Sequence, residues 1–235
     1  MKKIYTILVF AAFSMGAYSQ HFSVRFETGL GQYSMKDIKL LQTEFKNAIG
    51  ALEVESVERF PSTLYYGVHA DYQFNSLVAM GVHLFYNTTA GRNHVADYSG
   101  EYKMDMLLNS FATGTDFSYT FFSFDKLSMS AVLGTGIRLS GFRIKEDLLV
   151  YGDTLSHSNE LYHGVNYYVA PAIELSYPLL TKMELIVKAG YEINFRSVYI
   201  DREEDENKIL FFRENKPLNI DYSGFRLGLG LAYNF

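Results

Sequence analysis

The 235-residue sequence contains no cysteine and no tryptophan, only 4 prolines, and no excess of basic residues. Without cysteine, disulfide bonds, thiolate metal sites, cysteine nucleophiles and a lipid-modified N-terminal cysteine are all excluded. The formal net charge of −5 lacks the basic surface typical of nucleic-acid binding, so no nucleic-acid partner is expected. Against these absences stand 18 glycines, 19 tyrosines and 19 phenylalanines, a composition that suits strands better than helices.

Residues 1–19 predict a cleaved signal peptide. Two lysines precede an apolar stretch at 4–13, and Ala17 and Ser19 supply the small residues of a cleavage site. The apolar stretch is shorter than the roughly 20 residues of a spanning helix, which makes an N-terminal membrane anchor the less favoured interpretation. The mature chain, residues 20–235, contains no second long apolar run. It is therefore expected either as a soluble exported protein or as a membrane-inserted barrel.

The C-terminal segment FRLGLGLAYNF favours the barrel. Its odd positions are all large and apolar: Phe225, Leu227, Leu229, Leu231, Tyr233 and Phe235. Its even positions carry arginine, glycine, alanine and asparagine, so one face of a strand is apolar and the other is not. Eleven residues in a strand tilted by about 40° cover roughly 28 Å, close to the ~25 Å apolar band of an outer-membrane barrel.

The same period of two recurs in seven upstream segments. These segments are residues 22–30, 66–74, 78–86, 111–121, 129–139, 165–177 and 183–195. Together with the C-terminal segment they predict eight strands. The count rises to ten if the long connections contain two further strands.

Short and long connections alternate along the chain. Tight turns are predicted near 75–76, 122–126 and 180–182, and the long segments are 35–62, 88–102, 142–163 and 197–217. An up-and-down barrel has this pattern when its short turns face the periplasm and its long loops face outward. The predicted fold is an all-β antiparallel transmembrane barrel, and a soluble sandwich or lipocalin-like barrel is the alternative.

The parity of the outward positions predicts strand register. A three-residue loop at Leu180-Thr181-Lys182 would place Glu174 opposite Lys188 inside the barrel. The same reasoning at the first turn brings His83 opposite His69 or, one step shifted, Asp71.

The alternating C-terminus with its terminal phenylalanine resembles the signal read by the barrel-assembly machinery; its residues here are Leu227, Leu229, Leu231, Tyr233 and Phe235. The mature chain resembles small outer-membrane proteins of the OmpX/OmpA-barrel superfamily and, within it, the PorT-like group. The resemblance implies an integral, monomeric protein of the outer membrane of a Gram-negative-type cell, in contact with outer-membrane lipids. Two departures stand out. Tyrosine and phenylalanine must replace tryptophan at both membrane interfaces, and no periplasmic peptidoglycan-binding domain is expected after the barrel.

The inward positions carry nearly balanced charge. They form a predicted lumen charge network of Arg25, Glu27, Asp71, Asp116, Arg138, Glu174, Lys188, Glu192, Arg196 and Arg226, with Glu184 also facing inward. A lone buried charge costs several kcal/mol, so near-balance indicates a paired network that fills the bore. The alternative is a path for ions or protons.

The long connections add three weaker hypotheses. At the start of 35–62, Ser34 and Asp37 are predicted to cap an amphipathic helix that carries Ile38 and Leu41. This helix is expected to be a structural lid or a contact for a partner or lipid. The acidic run 201–206 has the oxygen ligands for Ca²⁺ but not the EF-hand spacing, so a solvated loop is favoured.

Catalytic residue types occur in 142–163 as Ser156, His157, Ser158 and Glu160, with His163 nearby. Because such residues are common in polar loops, no catalytic, metal or cofactor site is predicted. The expected function is an interaction or envelope-integrity role of the surface loops. The alternatives are a PorT-like accessory part of a protein-secretion apparatus and a small lipid-modifying enzyme.

Overall fold

The structure is a computed structural model that describes residues 22–48, 55–96, 98, 100–151, 153–195, 199–201 and 218–235. The described elements are β1 (Phe22–Tyr33), α1 (Lys36–Ala48), β2 (Glu55–Arg59), β3 (Thr63–Gln73), β4 (Val78–Ala96), β5 (Gly100–Phe124), β6 (Leu127–Val150), β7 (Asp153–Leu180), β8 (Met183–Asn194), β9 (Tyr199–Asp201) and β10 (Gly224–Asn234). The predicted signal peptide at 1–19 lies outside the described residues.

Eight strands close into a ring in which every strand pairs antiparallel with two neighbours. The order around the ring is β1, β3, β4, β5, β6, β7, β8 and β10. β1 and β10 close it, with Phe26 opposite Leu231. Among the described residues, the short strand β2 pairs with β4 alone and β9 with β7 alone, and both stay outside the ring. The predicted eight-stranded barrel is confirmed, and the two extra strands do not enlarge it to ten.

Short connections join β3 to β4, β5 to β6 and β7 to β8 at one end of the barrel. The third differs from the prediction, because the turn itself contains only Thr181 and Lys182. The extra residue lies instead in a register shift between Pro178 and Leu180. A bulge adds one residue to one strand only, so the alternation of the two faces is preserved across the turn.

The predicted Glu174–Lys188 register is correct, and of the two partners predicted for His83 the structure has His69. His69 lies opposite His83 in the β3–β4 pair, and Glu174 lies opposite Lys188 in the β7–β8 pair. Both pairs face the interior of the barrel, because most of their neighbours along the strands, such as Val68, Val82 and Val187, are exposed apolar residues.

The outside of the barrel carries an apolar belt. In β10, the apolar odd residues from 225 to 233 and the terminal Phe235 are exposed, whereas Ala232 is buried. Tyrosine and phenylalanine mark its outer edge, where Tyr66, Tyr86 and Phe111 lie side by side on three strands and are all exposed. The predicted replacement of tryptophan by these two residue types is consistent with this arrangement.

Most of the segments 88–102 and 142–163, predicted as loops, are strand instead. β4 to β7 continue beyond the belt as two tall hairpins, here called the outer section (residues 90–96 and 100–108, and residues 142–150 and 154–163). Their inward residues Tyr102, Met104 and Phe142 are buried, while charged residues face outward. The distribution of polar and apolar side chains is therefore inverted above the belt, as in a water-soluble barrel.

Charged side chains link neighbouring strands on the outside of the outer section. Arg92 donates two hydrogen bonds to Asp105, at 2.5 and 3.1 Å, and Lys103 Nζ lies 3.4 Å from the same carboxylate. Partial burial acts to raise the pKa of Asp105, but the hydrogen bonds and charge of Arg92, with Lys103, hold that pKa below its usual value. These pairs fit an aqueous surface.

Helix α1 closes the interior of the outer section. Ile38 is completely buried and Leu41 and Phe45 are partly buried, while Leu40 on the opposite face is exposed. The helix therefore has the predicted amphipathic character. Its apolar face joins the outer apolar cluster, which consists of Tyr33, Met35, Ile38, Phe60, Tyr102, Met104, Met106, Leu108, Phe142, Ile144, Tyr162, Leu218, Ile220 and Tyr222. Within the described residues, no helix meets the length and hydropathy that crossing a membrane requires.

Candidate functional site

The inward faces of the eight ring strands bring most of the predicted charged residues into the bore. Nine of the ten predicted members are in described segments, and five of these are buried to within 4% exposure: Arg25, Glu27, Asp116, Arg138 and Glu192. Arg196 lies outside the described residues. The charged residues separate into two groups along the bore, called here the upper and lower ion clusters.

The upper ion cluster consists of Arg138, Glu192 and Arg226. Arg138 donates to both carboxylate oxygens of Glu192 at 2.6 and 2.8 Å, and Arg226 donates to Glu192 at 3.0 Å. Arg138 also donates to Asn87 and Ser110 at 2.9 and 2.7 Å. Every oxygen of Glu192 therefore has a charged partner.

Aromatic rings surround the two arginines. The guanidinium of Arg226 lies 4.2 Å from the ring centroid of Tyr65 and 4.1 Å from that of Phe85. That of Arg138 lies 4.5 Å from the ring of Tyr222. Cation–π contacts of this kind are strongest where water is excluded, so these rings help to stabilise two charges that are far from solvent.

The lower ion cluster contains Arg25, Glu27, His69, Asp71, His83, Asp116, Glu174 and Lys188. Arg25 donates to Glu174 at 2.6 Å and lies 3.8 Å from Asp71. Lys188 Nζ lies 3.9 Å from Asp116. Glu174 and Lys188 are thus correctly predicted as backbone partners, but among the described residues their ion pairs run to Arg25 and Asp116 rather than to each other.

Two histidines join the lower ion cluster, although sequence reasoning assigned them no role beyond strand register. His69 and His83 are both buried. The Nδ1 atoms of the two rings lie 3.0 and 3.1 Å from the same oxygen of Asp116, and His69 Nε2 lies 3.1 Å from Glu27. The signal available in the sequence was the predicted pairing of two inward histidines.

A polar cavity of about 660 Å³ occupies the bore between the lower ion cluster and the short turns. Serines such as Ser76, Ser123 and Ser128 line it near the turns, and Arg25 and Asp116 line it at its inner end. Because short turns face the periplasm in such barrels, this cavity connects the lower ion cluster with the periplasmic side.

The catalytic residue types of 142–163 are not assembled into a site. Ser156 and His157 are consecutive in β7, so their side chains point to opposite faces of the sheet. His157 contacts Asp147 at 2.5 Å on the exposed surface, and Glu160 accepts a hydrogen bond from Tyr162 at 2.6 Å. Most of the acidic run 201–206 lies outside the described residues.

No protein-family profile and no curated protein sequence matches the chain. Solved structures match it in fold. A major outer membrane protein from Thermus thermophilus is 13% identical with a TM-score of 0.51, over 91% of this chain and 99% of that chain. The attachment invasion locus protein Ail of Yersinia pestis is 12% identical with a TM-score of 0.41, over 91% and 99%.

The N-terminal β-barrel domain of Pseudomonas aeruginosa OprF is 13% identical with a TM-score of 0.31, over 91% of this chain and 97% of that chain. At these identities the likeness concerns the fold alone. The closed ring of eight strands, the apolar belt and the polar bore support the same conclusion as the fold likeness to the Thermus protein. The chain is an eight-stranded membrane β-barrel with the fold of an outer-membrane protein.

Proposed function

We propose that the protein is a non-conducting, non-enzymatic barrel that acts through its extracellular surface, in protein contacts that support the integrity of the envelope. The observation that carries this proposal is the packing of the bore above the lower ion cluster. There the upper ion cluster is followed, toward the outer end of the bore, by the outer apolar cluster. Arg138, Ile38 and Phe142 are each at most 1% exposed.

The packing argues against a pore. Barrels of eight strands have an interior just wide enough for side chains to fill it. Here a continuous water path would have to pass the bidentate Arg138–Glu192 pair and then the apolar residues held under α1. Removing one partner of a buried ion pair costs about 3–5 kcal/mol, so spontaneous opening through this pair is rare.

The outer section supplies a rigid surface for a partner. Its two hairpins are hydrogen-bonded strands rather than irregular loops, and cross-strand pairs such as Arg92–Asp105 and His157–Asp147 decorate them. A preorganised surface loses less conformational entropy on binding than a loop that must first become ordered. This favours a protein contact over a purely membrane-filling role.

A deletion strain tests the proposal. It should become sensitive to detergents, and wild-type protein should restore resistance. A variant in which residues 91–106 and 145–159 are replaced by two-residue turns shortens both hairpins in register and should insert but not restore resistance. In planar bilayers the wild-type protein should give no stable channel.

Three outcomes would contradict the proposal. They are stable open channels of the wild-type protein, full complementation by the shortened variant, and altered lipid A acylation or phospholipid hydrolysis in the deletion strain. Loss of protein secretion in that strain would instead favour the accessory role predicted from the PorT-like resemblance.

A further inference from the structure

Three potential metal ligands occupy adjacent strands at one level of the bore. His69 of β3 lies opposite His83 of β4, and Asp116 of β5 lies two residues further along its own strand from the position opposite His83. One ligand atom from each residue lies within 4.8 Å of the others. All three side chains are buried, and each is held by a hydrogen-bonded strand, so the group is rigid.

The spacing of the ligand atoms suits a tetrahedral ion. With metal–ligand bonds of about 2.0–2.1 Å, two ligand atoms of a tetrahedral site lie about 3.3 Å apart. Asp116 Oδ2 lies 3.0 Å from His69 Nδ1 and 3.1 Å from His83 Nδ1. Among the described residues, His83 Nδ1 is buried without a hydrogen bond of acceptable geometry. In the tautomer that carries its proton on Nε2, facing Tyr168, the lone pair of Nδ1 is available to an ion placed between the rings.

The opposite nitrogens of both rings face oxygen atoms. His69 Nε2 lies 3.1 Å from a carboxylate oxygen of Glu27, close enough for an ion pair but without the geometry of a hydrogen bond. His83 Nε2 contacts the hydroxyl of Tyr168. A histidine that binds a metal through one nitrogen usually donates its other N–H to a carboxylate, carbonyl or water. Glu27 and Tyr168 are therefore placed to orient the two rings.

The net negative charge of the lower ion cluster also favours a bound cation. With neutral histidines, two positive charges face four negative ones, namely Arg25 and Lys188 against Glu27, Asp71, Asp116 and Glu174. Net charge in a region of low dielectric is costly. A divalent cation would bring this group of residues to neutrality.

Two resident cations compete with such an ion. Arg25 NH2 lies 2.9 Å from His69 Nδ1, and Lys188 lies 3.9 Å from Asp116. When an ion binds, Arg25 can keep its 2.6 Å hydrogen bond to Glu174. A cavity of about 20 Å³, enough for about one water molecule, lies beside His83 and Asp116 and is lined also by Lys188.

We propose that His69, His83 and Asp116 form a binding site for one divalent transition-metal ion of the zinc, copper and nickel class. Two imidazoles and one carboxylate are ligands that this class accepts, whereas magnesium and calcium prefer oxygen alone. The fourth coordination position remains for water. The ion enters from the periplasmic cavity, whose inner end is lined by Asp116.

The test is a titration of the folded full-length mature chain in detergent, after treatment with a chelator, at mildly alkaline pH. Co²⁺ should bind at one ion per chain and give the strong visible absorption of a four-coordinate site, and Zn²⁺ should displace it. His83→Gln should abolish this absorption. Tyr168→Phe, which removes only the hydroxyl beside His83, should weaken binding by about 10–100-fold.

His157→Gln is the matched control, because His157 lies on the exposed outer section and should leave binding unchanged. If His83→Gln fails to give the folded, heat-modifiable form, Asp116→Asn and Tyr168→Phe provide the same test. The absence of stoichiometric Co²⁺ and Zn²⁺ binding by the wild-type chain would overturn the proposal. So would undiminished binding by the folded site variants.

Discussion

Replacing Glu192 by glutamine is expected to be the most destabilising single-atom change in the bore. Glu192 is completely buried and receives hydrogen bonds from Arg138 at 2.6 and 2.8 Å and from Arg226 at 3.0 Å. The amide removes the negative charge and leaves two guanidinium groups, that of Arg138 buried and that of Arg226 largely buried, without their shared carboxylate. Breaking a buried ion pair in this way costs about 3–5 kcal/mol, which corresponds to a change of roughly 10²- to 10⁴-fold in the unfolding equilibrium.

Urea titration in phospholipid vesicles, approached from both the folded and the unfolded side, measures this change in the free energy of unfolding. Glu184→Gln is the matched control: Glu184 lies on the same strand and faces the bore, but it is only partly buried and lines the periplasmic cavity. Its effect should stay below about 1 kcal/mol.

A double-mutant cycle with Arg138→Met separates the ion pair from other effects of the substitutions. Because Arg138 and Glu192 are in direct contact, their effects should be non-additive by about 0.5–3 kcal/mol. If Glu192→Gln costs less than about 1 kcal/mol, or if the two effects simply add, the upper ion cluster does not stabilise the barrel as described.

Three further changes test other parts of the molecule. Ile38→Ala should cost about 2–5 kcal/mol and expose α1 to limited proteolysis, whereas Leu40→Ala on the exposed face of the same helix should do neither. Leu229→Lys in the apolar belt should destabilise the inserted barrel by about 2–4 kcal/mol in a vesicle unfolding titration, against about 0–1 kcal/mol for Leu107→Lys near the water boundary. The folded-state pKa of Asp105 is lowered. The Asp105 carboxylate should therefore stabilise the outer section fully above its unfolded-state pKa, and this stabilisation should vanish as the pH falls through the folded-state pKa. Hydrogen exchange of the outer section should show this pH dependence in the wild-type protein but not in Asp105→Asn.

The ring of strands was predictable because the signal is local. The alternation within each segment indicates which residues face hydrocarbon. The number of residues in the turn then determines which residues of the next strand face the same side. This was sufficient to pair Glu174 with Lys188 correctly and to limit the partner of His83 to His69 or Asp71, of which His69 is the one found. The same alternation also predicts on which face of each strand the charged residues lie.

The partners across the bore were not predictable in this way. Arg25 on β1 pairs with Glu174 on β7, and Arg138 on β6 pairs with Glu192 on β8, although neither pair belongs to neighbouring strands. Such contacts depend on the diameter and stagger of the closed ring. Those quantities belong to the whole ring and cannot be obtained from one strand or one turn.

The outer section was missed for a different reason. Tyr102, Met104 and Met106 alternate with Lys103 and Asp105 as regularly as the residues of the belt. The period of two was therefore present, but an apolar face turned inward has the wrong sense for a strand surrounded by lipid. A search for alternation without regard to which face is apolar would have identified these residues as strand.

The level at which the apolar side chains change from the outer to the inner face fixes how deeply the barrel sits in the membrane. Leu108, Phe142 and Tyr162 lie side by side in the interior, at the lowest level of the outer section. Three residues further along their strands, Phe111 and Leu139 already face the lipid. Sinking the barrel by one layer would draw charged groups into hydrocarbon, and raising it would wet aromatic rings. A bilayer of unsuitable thickness must therefore deform around the protein, since the protein itself has no freedom to slide.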